Sequence, residues 1–233
     1  MSPPARTAAT SAPLSNNALQ QSSRRLCARY ARFYFISLQQ SASVIRTNQF
    51  TVKRLDGLSA LVARRNAVST EIAAILGRPA QLGHLGEFVA SVLFDIDLAP
   101  SANNKGFDGR FTQGLLAGKS VDVKTYAKRE GIIDLRMQDL PDYYLILSGP
   151  RAPAASSKGQ DRPWVIDGIH LFDAQMLVES LLSRSLKVGI AASVAAAYWV
   201  AAEVYPSPTC KLLEVRDDQR VWLESFGRIR AGV

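Results

Sequence analysis

The run Asp142–Ser148 (DYYLILS) constrains the fold more than any other stretch. A strand in which Tyr143, Tyr144, Leu145, Ile146 and Leu147 follow one another leaves no face for water, so both faces need covering. A sheet covered on both sides is a layered α/β architecture, and the flanking chain supplies the remaining pieces. Leu58, Leu61, Val62, Ile72, Ile75 and Leu76 have helical spacing, which predicts a helix from Leu55 to Leu76 ended by Gly77 and Pro79. A second helix is predicted from Gln81 to Phe94, with Leu85, Phe88, Val89, Val92 and Leu93 on one side.

Asn103-Asn104-Lys105-Gly106 reads as a turn. Phe107–Phe111 and Ser120–Tyr126 read as antiparallel strands joined by a Gly114–Gly118 loop. Downstream, a short helix is expected over Asp134–Leu140 and a strand over Trp164–Phe172. Asp173 is placed to cap a helix running to about Leu186. The alanine-rich run Ala191–Val204, about 14 residues, is too short to cross a bilayer and predicts a buried helix. Leu212–Ile229 predicts one more charged amphipathic helix. The expected whole is a mixed central sheet flanked by helices, with a core over about 55–186 and C-terminal helical additions over 187–233.

The chain has 233 residues, enough for one domain with a sizeable core plus tails. Its net charge of +8 is unevenly placed. Residues 1–55 carry eight Lys or Arg and no Asp or Glu, which leaves 20 basic against 20 acidic residues in the remainder. The basic balance therefore belongs to the N-terminal segment and says nothing about nucleic-acid affinity of the domain. That segment, 1–53, is rich in Ser, Ala, Gln and Arg. It fits a disordered arm or an upstream extension, and also resembles a transit peptide. Leu26–Leu38 within it has the pattern of a short basic helix. Cys27 and Cys210 make neither a disulfide framework nor a zinc cluster, and only His84 and His170 are available as further soft ligands. A cytoplasmic protein with no membrane span is expected.

The chemistry-bearing residues lie between Gly83 and Tyr126. Asp122 and Lys124 share one face of their strand while Val121 and Val123 point to the core. D-x-K alone is an ordinary surface pair. Asp108, in Gly106-Phe107-Asp108-Gly109, would be set beside Asp122 by the hairpin, and two adjacent carboxylates repel unless a cation joins them. Glu87 on the second helix supplies a third carboxylate. An oxygen-only set of this kind suits a hard divalent ion. His84 reads as a capping or packing residue.

Glu in a helix, then Asp, then D-x-K in successive strands resembles the PD-(D/E)XK phosphodiesterase superfamily, which includes restriction endonucleases. More narrowly, GHLGE, NNKGFDGRF and SVDVKTY resemble an uncharacterised bacterial group of such domains, over about 45 residues. Phe107 stands where the motif's proline would be, and the interval from Asp108 to Asp122 is long. The resemblance implies a restriction endonuclease-like αβββαβ core. It implies a Mg²⁺-dependent nuclease, with Mn²⁺ as a substitute, acting on DNA rather than RNA. Asp108, Asp122 and the Val123 carbonyl would hold the metal, with Glu87 direct or through water, and Lys124 would orient the attacking water. Lys105, Arg110, Tyr126, Lys128 and Arg129 flank these strands and are candidate nucleic-acid contacts. A homodimer and an unidentified protein partner are further expectations. The alternative is a nuclease-fold module without turnover that binds nucleic acid or a protein.

Overall fold

The computed structural model describes residues 53–100, 106–152 and 163–227. The N-terminal arm expectations, Cys27 and the turn residues Asn103, Asn104 and Lys105 lie outside the described residues. The chain divides into two units, Met1–Ala67 and Val68–Val233. Helix α1 covers 53–76, and Gly77 follows it with φ +65°, the left-handed conformation that ends helices on glycine. Leu55, Leu58, Leu61 and Val62 on this helix are exposed.

The second unit is built on a six-stranded mixed sheet. Its strands are β1 (Ile96–Leu98), β2 (Gly109–Phe111), β3 (Ser120–Tyr126), β5 (Tyr143–Ser148), β6 (Gly168–Asp173) and β8 (Glu203–Tyr205), adjacent in that order. β3 and β5 are parallel, and every other neighbouring pair is antiparallel. Two short strands, β4 (Ile132–Ile133) and β7 (Ala192–Ser193), pair separately. The sheet is accompanied by α2 (Leu82–Phe94), α3 (Ala174–Ser183), α4 (Ala196–Ala201) and α5 (Asp217–Ser225).

β5 is central, and its residues alternate between two cores. Leu145 and Leu147 face a cluster with Val121 and Val123 of β3, Val89 and Leu93 of α2, and Leu223 of α5. Tyr144 and Ile146 face the other, with Phe172 of β6, Leu177 and Leu181 of α3, and Trp199 of α4. The two-faced burial inferred from DYYLILS is thus met by helices on both sides of the sheet. Asp173 caps α3 by accepting from the Met176 backbone N–H at 2.9 Å.

Several expectations need correction. Asp134–Leu140 is not a helix, because its backbone is recruited by tertiary partners. The Asp134 N–H goes to the Tyr126 hydroxyl, the Leu135 N–H to the Gly189 carbonyl and the Arg136 N–H to the Tyr144 hydroxyl. Ala191–Val204 is not one buried helix; it splits into β7, the short α4 and β8, and β8 meets the Ile169–His170 edge of β6. Only Trp199 of α4 is buried. Val92 is 64% exposed, since α2 presents Gly86, Val89, Ala90, Leu93 and Phe94 to the sheet instead. β6 begins at Gly168, with 163–167 irregular, and β1 is a strand that the sequence pattern did not announce. Among the described residues no helix is long and apolar enough to cross a membrane.

Candidate functional site

The site is assembled on β3, where its pairing with β2 ends. The register sets Gly109 opposite Val121 and Arg110 opposite Ser120, and Asp108 lies just before this paired stretch. The chain reaches Asp108 through Gly106, whose φ of +90° is a backbone conformation that glycine adopts without strain. A Cβ there would lie 2.0 Å from the Asp139 carbonyl oxygen. The Asp108 backbone N–H donates to Val121 O at 2.9 Å, and its carboxylate accepts from the Val123 N–H at 2.7 Å. In a strand the carbonyl of a residue points to the same side as its N–H, so the Val123 carbonyl faces the edge at which Asp108 sits.

Asp122 is 5% exposed and lies on the Tyr144 face of the sheet. Lys124 Nζ spans both of its oxygens, at 2.9 and 2.8 Å, and sits 5.6 Å from the centre of the Tyr144 ring. Val121 and Val123 are in the core, as strand alternation requires.

Glu87 is brought up by a close helix–strand contact. A Cβ on Gly86 would fall 1.8 Å from Thr125 Oγ1, so only glycine lets α2 lie this near β3. Glu87 accepts from Arg78 at 3.0 Å, and Arg78 also donates to Ala99 O at 2.7 Å. Arg78 is a site residue that sequence reasoning missed; it lies in the turn between α1 and α2, which carries no motif. His84 interacts through Nδ1 with the Pro79 carbonyl at 2.8 Å, a local packing role.

Three carboxylates thus act on one another. Burial, first, and then the charges of Asp122 and Glu87 push Asp108 up to about 7, against the lowering effects of the Val123 N–H and Lys124. Among the described residues no three His, Cys, Asp or Glu side chains are already gathered as a ready-made metal cage. Glu87 and Asp122 are instead engaged by Arg78 and Lys124. The donors nearby are all oxygens, and Asp108 carries a repulsion that a cation would relieve, so the chemistry fits a hard divalent ion.

The candidate nucleic-acid contacts have diverse placements. Arg110 is exposed, donates to Gly118 O at 3.0 Å and lies over the Phe107 ring. The Tyr126 ring packs against the second core cluster, and burial pushes its hydroxyl up to about 12. Lys128 is ion-paired with Glu130. The Arg129 guanidinium donates to His170 Nε2 at 2.7 Å. Lys105 lies outside the described residues. No family model matches the chain, and no curated protein matches it significantly.

Proposed function

We propose that this protein is a metal-dependent nuclease hydrolysing phosphodiester bonds, with DNA as its substrate, built on a restriction endonuclease-like core. The observation that carries this reading is that Asp108 lies against the Asp122–Val123 segment, its carboxylate accepting from the Val123 N–H at 2.7 Å and pushed up to about 7 by burial and then by the charge of Asp122. Asp108, Asp122 and the Val123 carbonyl would hold a Mg²⁺ ion, with Glu87 at its margin. When bound, such an ion polarises a phosphate and makes a neighbouring water acidic. Lys124 supplies positive charge beside the phosphate as its oxygens become more negative. Because Lys124 spans both oxygens of Asp122, it must swing off that carboxylate to reach a scissile group. Arg110, which is exposed, would contact flanking phosphates.

The ion pairs Arg78–Glu87 and Lys124–Asp122 favour a second reading, since they satisfy two carboxylates without a metal. In that reading the domain binds nucleic acid or a protein without turnover. Incubation with supercoiled plasmid, linear duplex, single strands and RNA, with and without Mg²⁺ or Mn²⁺, separates the two. Metal-dependent cutting supports the nuclease; metal-independent binding without cutting selects the module.

A further inference from the structure

A cavity of about 610 Å³ lies where the segments after β3 and β5 run side by side toward α4. This volume is within the range of about 300–1,000 Å³ typical of small-molecule sites. Arg129 and Arg151 both line it, brought together because a parallel bridge continues the β3–β5 pairing beyond the sheet. Backbone bonds Arg129 N–H to Pro150 O at 3.1 Å and Ala152 N–H to Arg129 O at 3.2 Å fix them there.

Arg129 is held in an unusual way. A guanidinium in a partly enclosed site is ordinarily met by a carboxylate, which cancels its charge. Here the partner is His170, which is 0% exposed. A guanidinium can only donate, so His170 Nε2 accepts and its proton sits on Nδ1. Burial and the Arg129 charge push this imidazole down to about 3, so it is neutral throughout the physiological range. Among the described residues no carboxylate is paired with Arg129, so His170 orients it without cancelling its charge. Of the carboxylates lining the cavity, Glu130 is ion-paired with Lys128, and Glu203 accepts from the Ser207 N–H at 3.2 Å. Trp199, whose ring lies 5.9 Å from the Arg129 guanidinium, also lines the cavity. Its buried indole N–H has no hydrogen-bond partner among the described residues, and neither has His170 Nδ1. Two arginines lining one cavity call for a ligand rich in acceptor oxygens and negative charge.

We propose that this cavity binds the phosphomonoester of a single nucleotide, either free or at the end of a strand. Recognition of the phosphate rests on the cavity itself, and the choice of a nucleotide rests on the nuclease reading above. Arg129 and Arg151 take the phosphate oxygens, and Trp199 supplies an apolar wall. Glu203 is placed to accept from a sugar hydroxyl or an exocyclic amine.

The test is calorimetric titration of the full chain in chelator with dAMP, deoxyadenosine, inorganic phosphate, and short oligonucleotides bearing a 5′-phosphate or a 5′-hydroxyl. Phosphorylated probes are expected to bind at least tenfold more tightly than their unphosphorylated counterparts. Arg129→Gln and Arg151→Gln should each weaken them at least tenfold. Arg151 is exposed, so its replacement keeps the test decisive should Arg129→Gln fail to fold. Binding of dAMP assigns a free nucleotide, and binding of the phosphorylated oligonucleotide alone assigns a strand end. Inorganic phosphate binding as tightly as dAMP would overturn the nucleotide assignment. Equal binding of phosphorylated and unphosphorylated probes, or by folded Arg151→Gln, would overturn the site. Asp108→Asn should bind these probes like wild type, so lost cleavage with retained nucleotide binding bears only on the catalytic residues.

Discussion

Lys124 and Asp122 form an ion pair whose side chains are only 15% and 7% exposed. Removing one partner of such a pair strands the other charge, at a cost of about 3–5 kcal/mol. Lys124→Met should therefore lose stability of that order in chelator and abolish cleavage. It should also gain more melting temperature from Mn²⁺ than wild type does, because a cation would replace the lost ammonium. Differential scanning calorimetry with and without Mn²⁺ checks this, and an equal gain in both proteins would contradict it. Asp108 and His170 make opposite contributions to acid stability. His170 titrates near 3 when folded against 6.5 unfolded, so its contribution is in place above 6.5 and lost as pH falls toward 3. Asp108 titrates near 7 against 3.8 unfolded, so its contribution is in place below 3.8 and lost as pH rises through 7. Between about 4 and 6.5 the two slopes oppose, each at most about 1.4 kcal/mol per pH unit. Urea unfolding of metal-free Asp108→Asn should show stability rising with pH across that window, and His170→Gln should show it falling. Matching slopes in the two variants would refute the assignment. The carboxylates were legible in the sequence because chemistry restricts which side chains can hold a hard cation. Arg78, Arg151 and Trp199 were not, because their roles arise from chain segments that meet only in the fold.

At the scale of elements, α2 and β3 are locked by Gly86 against Thr125. Gly86→Ala would force them apart and should cost about 1–3 kcal/mol, as overpacking does. It should also lower cleavage by moving Glu87, whereas the same change at Gly57, where a Cβ meets nothing within 4 Å, should leave cleavage unaltered. Thermal melts and plasmid assays on both variants measure the contrast; equal effects would refute it. Strands β3 and β5 were readable because two-residue alternation and an unbroken apolar run are local signals. The α3 cap was readable for the same reason, since Asp173 acts on a backbone three residues away. Asp134–Leu140 and Ala191–Val204 were misread because their conformations are decided elsewhere. Tyr126, Tyr144 and Gly189 take the N–H groups of the first, and β4 and β6 supply the partners that draw strands from the second. Alanine content suggested a helix, and tertiary pairing overrode that propensity.

At the scale of the whole molecule, charge and site are separated along the chain. The excess of basic residues lies in 1–55, while the remainder, which holds Glu87, Asp108, Asp122 and Lys124, balances 20 basic against 20 acidic residues. Removing residues 1–52 should therefore flatten the salt dependence of DNA binding while metal-dependent cutting persists. Fluorescence anisotropy across a salt series reads the first, and an unchanged slope would show that the domain carries its own phosphate contacts. The proposed chemistry requires Asp108 and Asp122 to share a divalent ion over a phosphodiester. The most direct measurement is the rate of plasmid cleavage in Mg²⁺ by wild type and by Asp108→Asn, with folding of both verified by circular dichroism. Metal-dependent cutting by wild type and a loss of at least about 100-fold in the variant is the predicted result, corresponding to roughly 2.7 kcal/mol of transition-state stabilisation. Cutting that survives Asp108→Asn, or no cutting of any nucleic acid by wild type in Mg²⁺ or Mn²⁺, would contradict it.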